Sequence, residues 1–328
     1  MAVDLLDRRL LFVTGKGGVG KTAISAALAS LAAGRGKRTL VCEVDAKGDL
    51  ARFFETGPTT FEPREVQPGL SVMTLTTEES LREYLRLHVR LPLLARIGPL
   101  ARSFDFVANA APGVREILTV GKVTWEVRED HYDLVVVDAS ASGHVVSQLG
   151  APEAIEELVK VGVVREQTGW MQDILHDPER TGVVIVATPE EMPVTETIEL
   201  AERLRSETSV DLAAVVANRV LPELFGHRER ERFEAWREPD RLAEVAEAIA
   251  GVATGPAGGI RPEVVGAVFD AAELAVELRR GRAGHLTTLR EGLGSGVPLL
   301  LVPELFTRTH GARATARVAD ALGDELGF

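Results

Sequence analysis

The chain has 328 residues, 45% of them hydrophobic and 26% charged, which suits one large α/β domain or two small ones with a substantial core and argues against disorder. A formal net charge of −12 repels phosphate backbones, so a broad nucleic-acid-binding surface is disfavoured and only a local basic patch stays open. A single cysteine, Cys42, excludes an internal disulfide and a cysteine-rich metal or iron–sulfur site within one chain. It also fits a reducing compartment.

The opening apolar run is too short for a signal sequence, and nothing later reaches the roughly 18 apolar residues of a membrane span. A cytoplasmic protein without stable membrane insertion is expected. The first predicted strand, Leu10 to Thr14, runs into Gly15-Lys16-Gly17-Gly18-Val19-Gly20-Lys21-Thr22, and a helix is predicted over Thr22 to Ala33. The spacing GxxxxGK[ST] is met by Gly15, Gly20, Lys21 and Thr22 in a strand-turn-helix context. Glycines let backbone N–H groups curl around phosphate oxygens, and the helix N-terminus adds its dipole. The candidate cofactor-binding residues are therefore Gly15, Gly17, Gly18, Val19, Gly20, Lys21, Thr22 and Ala23. Lys21 reaches the β/γ-phosphates, and the Thr22 hydroxyl ligates Mg²⁺. ATP or ADP with Mg²⁺ is the cofactor expected. Lys16 is surplus to this motif, and a second cation beside Lys21 costs repulsion unless a negative group lies near.

The second predicted strand, Thr39 to Val44, holds Cys42 as a core residue and leads into Asp45-Ala46-Lys47-Gly48-Asp49. A carboxylate at this strand end can orient an attacking water. Asp45 and Glu43 both qualify, and a plain acidic strand end is a third reading. One strand, Leu70 to Leu75, precedes a long helical stretch. The next apolar run, Leu134 to Val137, ends in Asp138, a Walker B pattern whose carboxylate binds a water of the Mg²⁺ shell. Strands over Val183 to Ala187, Ala213 to Ala217 and Leu299 to Val302 follow, with helices over Glu191 to Ser206 and Arg313 to Leu326. Thr188-Pro189-Glu190-Glu191 reads as a helix start with a threonine cap and proline in the first turn. Asn218 stands at a strand end, as a turn residue or as an amide for a nucleobase edge. Alternating strands and helices give a doubly wound, mostly parallel α/β sheet. Residues 1–328 form one domain with helical insertions at about 76–130, 151–178 and 222–295.

The loop GKGGVGKT resembles the deviant Walker A loop of the P-loop NTPases (SIMIBI class) that include ParA, MinD, nitrogenase iron protein and the ArsA/Get-type ATPases. The resemblance implies that Lys16 reaches across a dimer interface to the partner's nucleotide, as an arginine finger does. Asp138 to His144 is similar to the ArsA/Get switch II, Asp-x-x-Pro-Thr-Gly-His, with Ala141 and Ser142 in place of the proline and threonine. Gly143 is then implied as the γ-phosphate sensor. Asp45 resembles the switch I aspartate, although Ala46-Lys47 follows it where Pro-Ala is usual. By the same resemblance Lys16, Asp45 and Lys21 are the catalytic residues, Asn218 reads the base, and Pro303 lies in a segment closing over the nucleoside. Ala111 to Glu116 resembles the family's Pro-Gly-x-x-Glu element, and Glu190 and Glu196 face the partner.

The order of these motifs matches the ArsA/Get-type branch along nearly the whole chain. One cysteine cannot hold the iron protein's cluster, a thiolate arsenite site or the Cys-x-x-Cys zinc clamp. The chain thus resembles a bacterial ArsA/Get-like ATP hydrolase without the zinc clamp, a homodimer or a heterodimer with a paralogous ATPase. A hydrophobic protein client would use Leu85, Leu87, Leu91, Leu93, Leu94, Ile97, Leu100, Phe104 and Phe106, with Ile155, Leu158, Val161, Val164 and Trp170. Ordinary packing against the domain accounts for the same residues. Two other readings are a weakly catalytic nucleotide-binding subunit paired with a paralogue and a ParA/MinD-type positioning ATPase. The C-terminal helix ends in Asp324 and Glu325 and reads as a packed helix rather than a basic membrane anchor.

Overall fold

The computed structural model describes residues 5–44, 48–88, 113–139, 142–158, 163–252, 262–306 and 311–328. Among these residues eight strands form one sheet: β1 Leu10–Gly15, β2 Thr39–Val44, β3 Arg64–Gln67, β4 Leu70–Leu75, β5 Leu134–Asp138, β6 Thr181–Ala187, β7 Leu212–Val220 and β8 Leu299–Pro303. Their order across the sheet is β3-β4-β2-β5-β1-β6-β7-β8, and all pairs are parallel except β3 with β4. The helices are α1 Lys21–Gly34, α2 Asp49–Phe53, α3 Thr77–His88, α4 Val114–Arg128, α5 Ser142–Leu158, α6 Val163–Leu175 and α7 Glu191–Glu207. The chain continues with α8 His227–Trp236, α9 Pro239–Val252, α10 Pro262–Leu293 and α11 Ala312–Leu326.

A parallel sheet is covered on both faces, so its strands are apolar on both sides. Side chains alternate with period two. Leu10, Phe12, Val135, Val137, Val183 and Ile185 accordingly enter one core, beneath α4, α5, α7 and the end of α10. Leu11, Val13, Val136, Val184 and Val186 enter the other, beneath α1 and α11. Cys42 is fully buried in the first, and burial pushes its thiol pKa up, which makes it inert packing. The α11 helix lies on α1 and β8, and Glu325 accepts the Leu301 N–H at 2.9 Å, so the terminal helix is packed as its sequence implies. No helix among the described residues is long and apolar enough to cross a membrane.

Two local readings need correction. Thr188 does not cap α7: the N-cap is Glu190 in extended backbone, without a side-chain cap bond, and Pro189 precedes the helix. Thr188 is buried and its carbonyl accepts the Glu190 N–H at 2.8 Å, so tertiary burial overrides the local capping signal. Helix α5 runs through Pro152 without ending there. The edge strand β3 escapes detection because it is short, charged and largely exposed.

The last insertion has a simple geometry. Helix α7 follows β6 and runs back against the strand direction. Along it, Arg282 of α10 meets Glu190 at the start, and Arg205 near its end donates to the Leu293 carbonyl at 2.9 Å. The last third of α10 is therefore docked, with Gly292 tight against Ile198. Its earlier turns stand beyond the carboxyl edge of the sheet, where Phe269 continues a ring stack through Phe233 to Phe225.

The close approach of β1 to β6 leaves no room at the strand end: a Cβ on Gly15, at φ +145, would lie 2.2 Å from the Val186 carbonyl oxygen. Gly15→Ala is expected to destabilise the fold by about 2–4 kcal/mol, read by denaturant unfolding. An unchanged midpoint would show that the strand ends are not packed this closely.

Candidate functional site

The parallel pairing of β1 with β5 sets Asp138 beside Val13, and that of β2 with β5 sets Glu43 beside Asp138. Three strand ends thus bring the glycine loop and two carboxylates together at the carboxyl edge, where ligands of doubly wound sheets bind. Within the loop, Gly18 and Gly20 adopt φ +87 and +98, which curl the chain. Gly17 and Gly18 are exposed while Val19 between loop and helix is buried, so the valine pins the loop and its tip faces outward. Gly20 caps α1 without a side-chain bond. That helix end presents its backbone N–H groups and positive dipole end, including those of Lys21, Thr22 and Ala23, an arrangement suited to an anion. Lys21 arches back so that Nζ donates to the Lys16 carbonyl at 3.2 Å.

Asp138 is buried and doubly bonded. Thr22 Oγ1 donates to Oδ2 at 2.7 Å and Ser25 Oγ to Oδ1 at 3.2 Å. Burial raises its pKa to about 6, against the hydrogen bonds of Thr22 and Ser25 and the charge of Lys21, with nearby Glu43 adding to the rise. The donor set is a carboxylate and two hydroxyls, all hard oxygens, and the buried carboxylate resists ionisation without a countercharge. Those properties fit a divalent cation such as Mg²⁺ held through Thr22 and a water on Asp138. Ser25 is missing from the motif reading, although it sits three residues beyond Thr22 on the same helix face, a spacing that could have found it.

Glu43 is also buried, and its Oε1 accepts the Asp49 N–H at 3.0 Å, which ties β2 to the start of α2. Asp45, Ala46 and Lys47 lie outside the described residues, as does Ala141. Gly143 and His144 are exposed in the first turn of α5. Pro303 ends β8, exposed, in register with Val220 of β7. Asn218 lies 7% exposed at the end of β7, and its Nδ2 donates to the Val19 carbonyl at 2.8 Å. Lys16 turns away from the loop, with Nζ 2.5 Å from Oε1 of Glu196 on α7, each side chain 32% exposed. The negative group that the second lysine requires is therefore supplied within the chain.

A separate cavity of about 220 Å³ lies among α3, α4, α5 and α6, walled by Leu81, Ile117, Trp125, Ile155, Trp170 and Met171. At one end Lys122 is buried and paired with Glu83 at 2.8 Å and Glu126 at 2.6 Å. Ile155 and Trp170 of the apolar set thus share a wall, and Leu85 is half-buried. Leu91, Leu93, Leu94, Ile97, Leu100, Phe104, Phe106 and Val161 fall outside the described residues.

The model of the anion-transporting ATPase family matches residues 8–169 and 156–267. ATPase BagA of Mycobacterium tuberculosis is 31% identical over 250 residues, covering 73% of this chain and 69% of that protein. An arsenical pump-driving ATPase of Acidiphilium multivorum is 28% identical over 256 residues, 72% of this chain and 43% of its own length. The ATPase ASNA1 homolog of Entamoeba dispar is 26% identical over 255 residues, 65% and 76% of the two chains.

A buried carboxyl whose pKa is raised on folding binds more protons folded than unfolded between about pH 4 and 6, so its burial costs stability as pH rises through that window. Asp138→Asn is expected to stabilise the unliganded protein at pH 7.5 by roughly 1–3 kcal/mol, the gain vanishing near pH 4. Urea unfolding of both proteins across pH measures this. A gain that is the same at both ends would remove burial as its cause.

Proposed function

Because the chain belongs to the anion-transporting ATPase family, we propose that it is a Mg²⁺-dependent ATP hydrolase whose nucleotide cycle opens and closes a dimer. The observation that carries this reading is the meeting of Thr22 and Asp138 beneath an outward-facing glycine loop. On this reading the loop N–H groups and the α1 dipole hold the phosphate tail, and Lys21 swings from the Lys16 carbonyl to the β/γ-phosphates. Bound Mg²⁺ would supply charge neutralisation on the phosphates, held by Thr22 and by Asp138 through water. Asp45 orients the attacking water, and Gly143, at the mouth of α5, senses the γ-phosphate.

Lys16 is the residue that makes turnover depend on pairing. In the single chain its ammonium is held by Glu196, and in the dimer it leaves that carboxylate for the partner's nucleotide. This supports a switch in which cation transfer and dimer closure are one event. The partner is a second copy or a paralogous ATPase. The apolar cavity among α3 to α6 supports a hydrophobic protein client, since a helical layer with aromatic walls can take an apolar side chain. No nucleic-acid partner is proposed, given the acidic surface, and the protein works in the cytoplasm. A second reading, a weakly catalytic subunit paired with a paralogue, draws on Ala46 and Ala141 standing where the family has proline.

Size measurement with Mg²⁺ and ADP or a non-hydrolysable ATP analogue, run beside phosphate release, tests binding, pairing and turnover together. The expected outcome is a monomer with ADP and a dimer with the analogue. Lys16→Ala is expected to lower turnover by about 10³-fold while keeping nucleotide binding. Full activity at every protein concentration would refute the transferred cation. Glu196→Gln is expected to lower the concentration at which specific activity is half-maximal, and no change there would leave Glu196 without a role in pairing.

A further inference from the structure

Asn218 stands where the resemblance places a base-reading amide, yet its side chain reaches into the phosphate loop. Besides the 2.8 Å bond from Nδ2 to the Val19 carbonyl, its Oδ1 accepts the Arg219 N–H at 2.9 Å, which fixes which way the amide faces. A Cβ on Gly20 would lie 2.3 Å from Nδ2, so the bare glycine is the space the amide occupies. The backbone is bent to make this possible. Arg219 adopts φ +58, and the β7–β8 ladder slips between Ala217 and Val220. Such conformations persist where surrounding contacts enforce them. Here Arg282 donates to the Arg219 carbonyl at 3.4 Å, and Arg279 donates to the Leu221 carbonyl.

We propose that Asn218 is a positioning residue for the phosphate loop. The Val19 carbonyl and the Gly20 N–H belong to one rigid trans peptide plane and point in opposite directions. Holding the carbonyl with the Asn218 amide therefore aims the Gly20 N–H into the loop. Val19 itself is 2% exposed, so the plane is held by side-chain burial on one flank and by the amide on the other. Asn218 thereby sets affinity for the phosphate tail whichever base is attached, in addition to any contact with the base. This inference rests on the nucleotide reading given above.

The test uses a ligand without a base. Magnesium tripolyphosphate, ATP and GTP are titrated calorimetrically into the wild type, Asn218→Ala and Asn218→Leu, the last keeping the size of the side chain without its donor. Hydrogen exchange of the peptide spanning the loop is followed in the unliganded proteins. Both variants are expected to lose about 10-fold in affinity for tripolyphosphate, and the same factor for both nucleotides, as one hydrogen bond commands. Loop exchange is expected to rise in both. Gly20→Ala, whose methyl collides with the amide, is expected to raise loop exchange as well, reaching the same state from the other side. Unchanged tripolyphosphate affinity with a loss confined to ATP overturns the proposal in favour of base reading alone, and so does unchanged loop exchange. A wild type that binds none of the three ligands defeats the nucleotide reading instead, and the exchange result then decides the brace.

Discussion

The architecture of the nucleotide edge depends on one lateral pairing, that of β1 with β5. It carries Asp138 into reach of the first turn of the helix that follows the glycine loop, and the 2.7 Å bond from Thr22 is the result. Burying a carboxylate there works against stability, because the charged form loses its hydration. Its partners are two hydroxyls in the same helix, Thr22 and Ser25, rather than a salt bridge. Local rules broken without a compensating gain in packing are what functional positions look like.

The two lysines of the loop divide along the same line. Lys21 folds inward over its own loop, while Lys16 is carried outward to Glu196 on the neighbouring helix. The repulsion that makes the sequence look overcharged is thus relieved by separating the ammonium groups and giving the outer one a half-exposed acid. A half-exposed pair of this kind holds weakly, since solvent screens it. Weak holding leaves the Lys16 ammonium free to exchange with solvent or another anion.

Much of this was legible from residue order, for identifiable reasons. Buried parallel strands such as Leu134 to Val137 are continuous apolar runs, and seven of the eight strands announce themselves in that way. The strand β3 carries no such signal, because its side chains face solvent at the sheet edge. The phosphate loop, Thr22 and Asp138 were readable because their chemistry demands fixed residue types at fixed spacing. The partnerships of Asn218 with Val19 and of Lys16 with Glu196 were not, since each joins residues nearly two hundred positions apart. Nor does an arginine at φ +58 declare itself, since arginine has no intrinsic preference for that region. Thr188 shows the converse error, a residue whose local preference is clear and whose burial overrules it.

Helix α10 has 32 residues, a rod of about 48 Å at the usual rise, docked on α7 along its final turns and joined farther back to α8 through Phe269 on Phe233 and Glu273 with Arg237. A rod held at both ends carries what it is joined to. A tilt of about 5° where Gly292 rests on Ile198 would sweep the opposite tip through roughly 3 Å or more, by simple trigonometry on that length. Arg282 and Arg279 grip the backbone just past Asn218, so a shift of the glycine loop enters the rod near its fulcrum. A small displacement beside the glycine loop would thus reach α8 enlarged, since Phe233 and Arg237 ride on the far part of the rod.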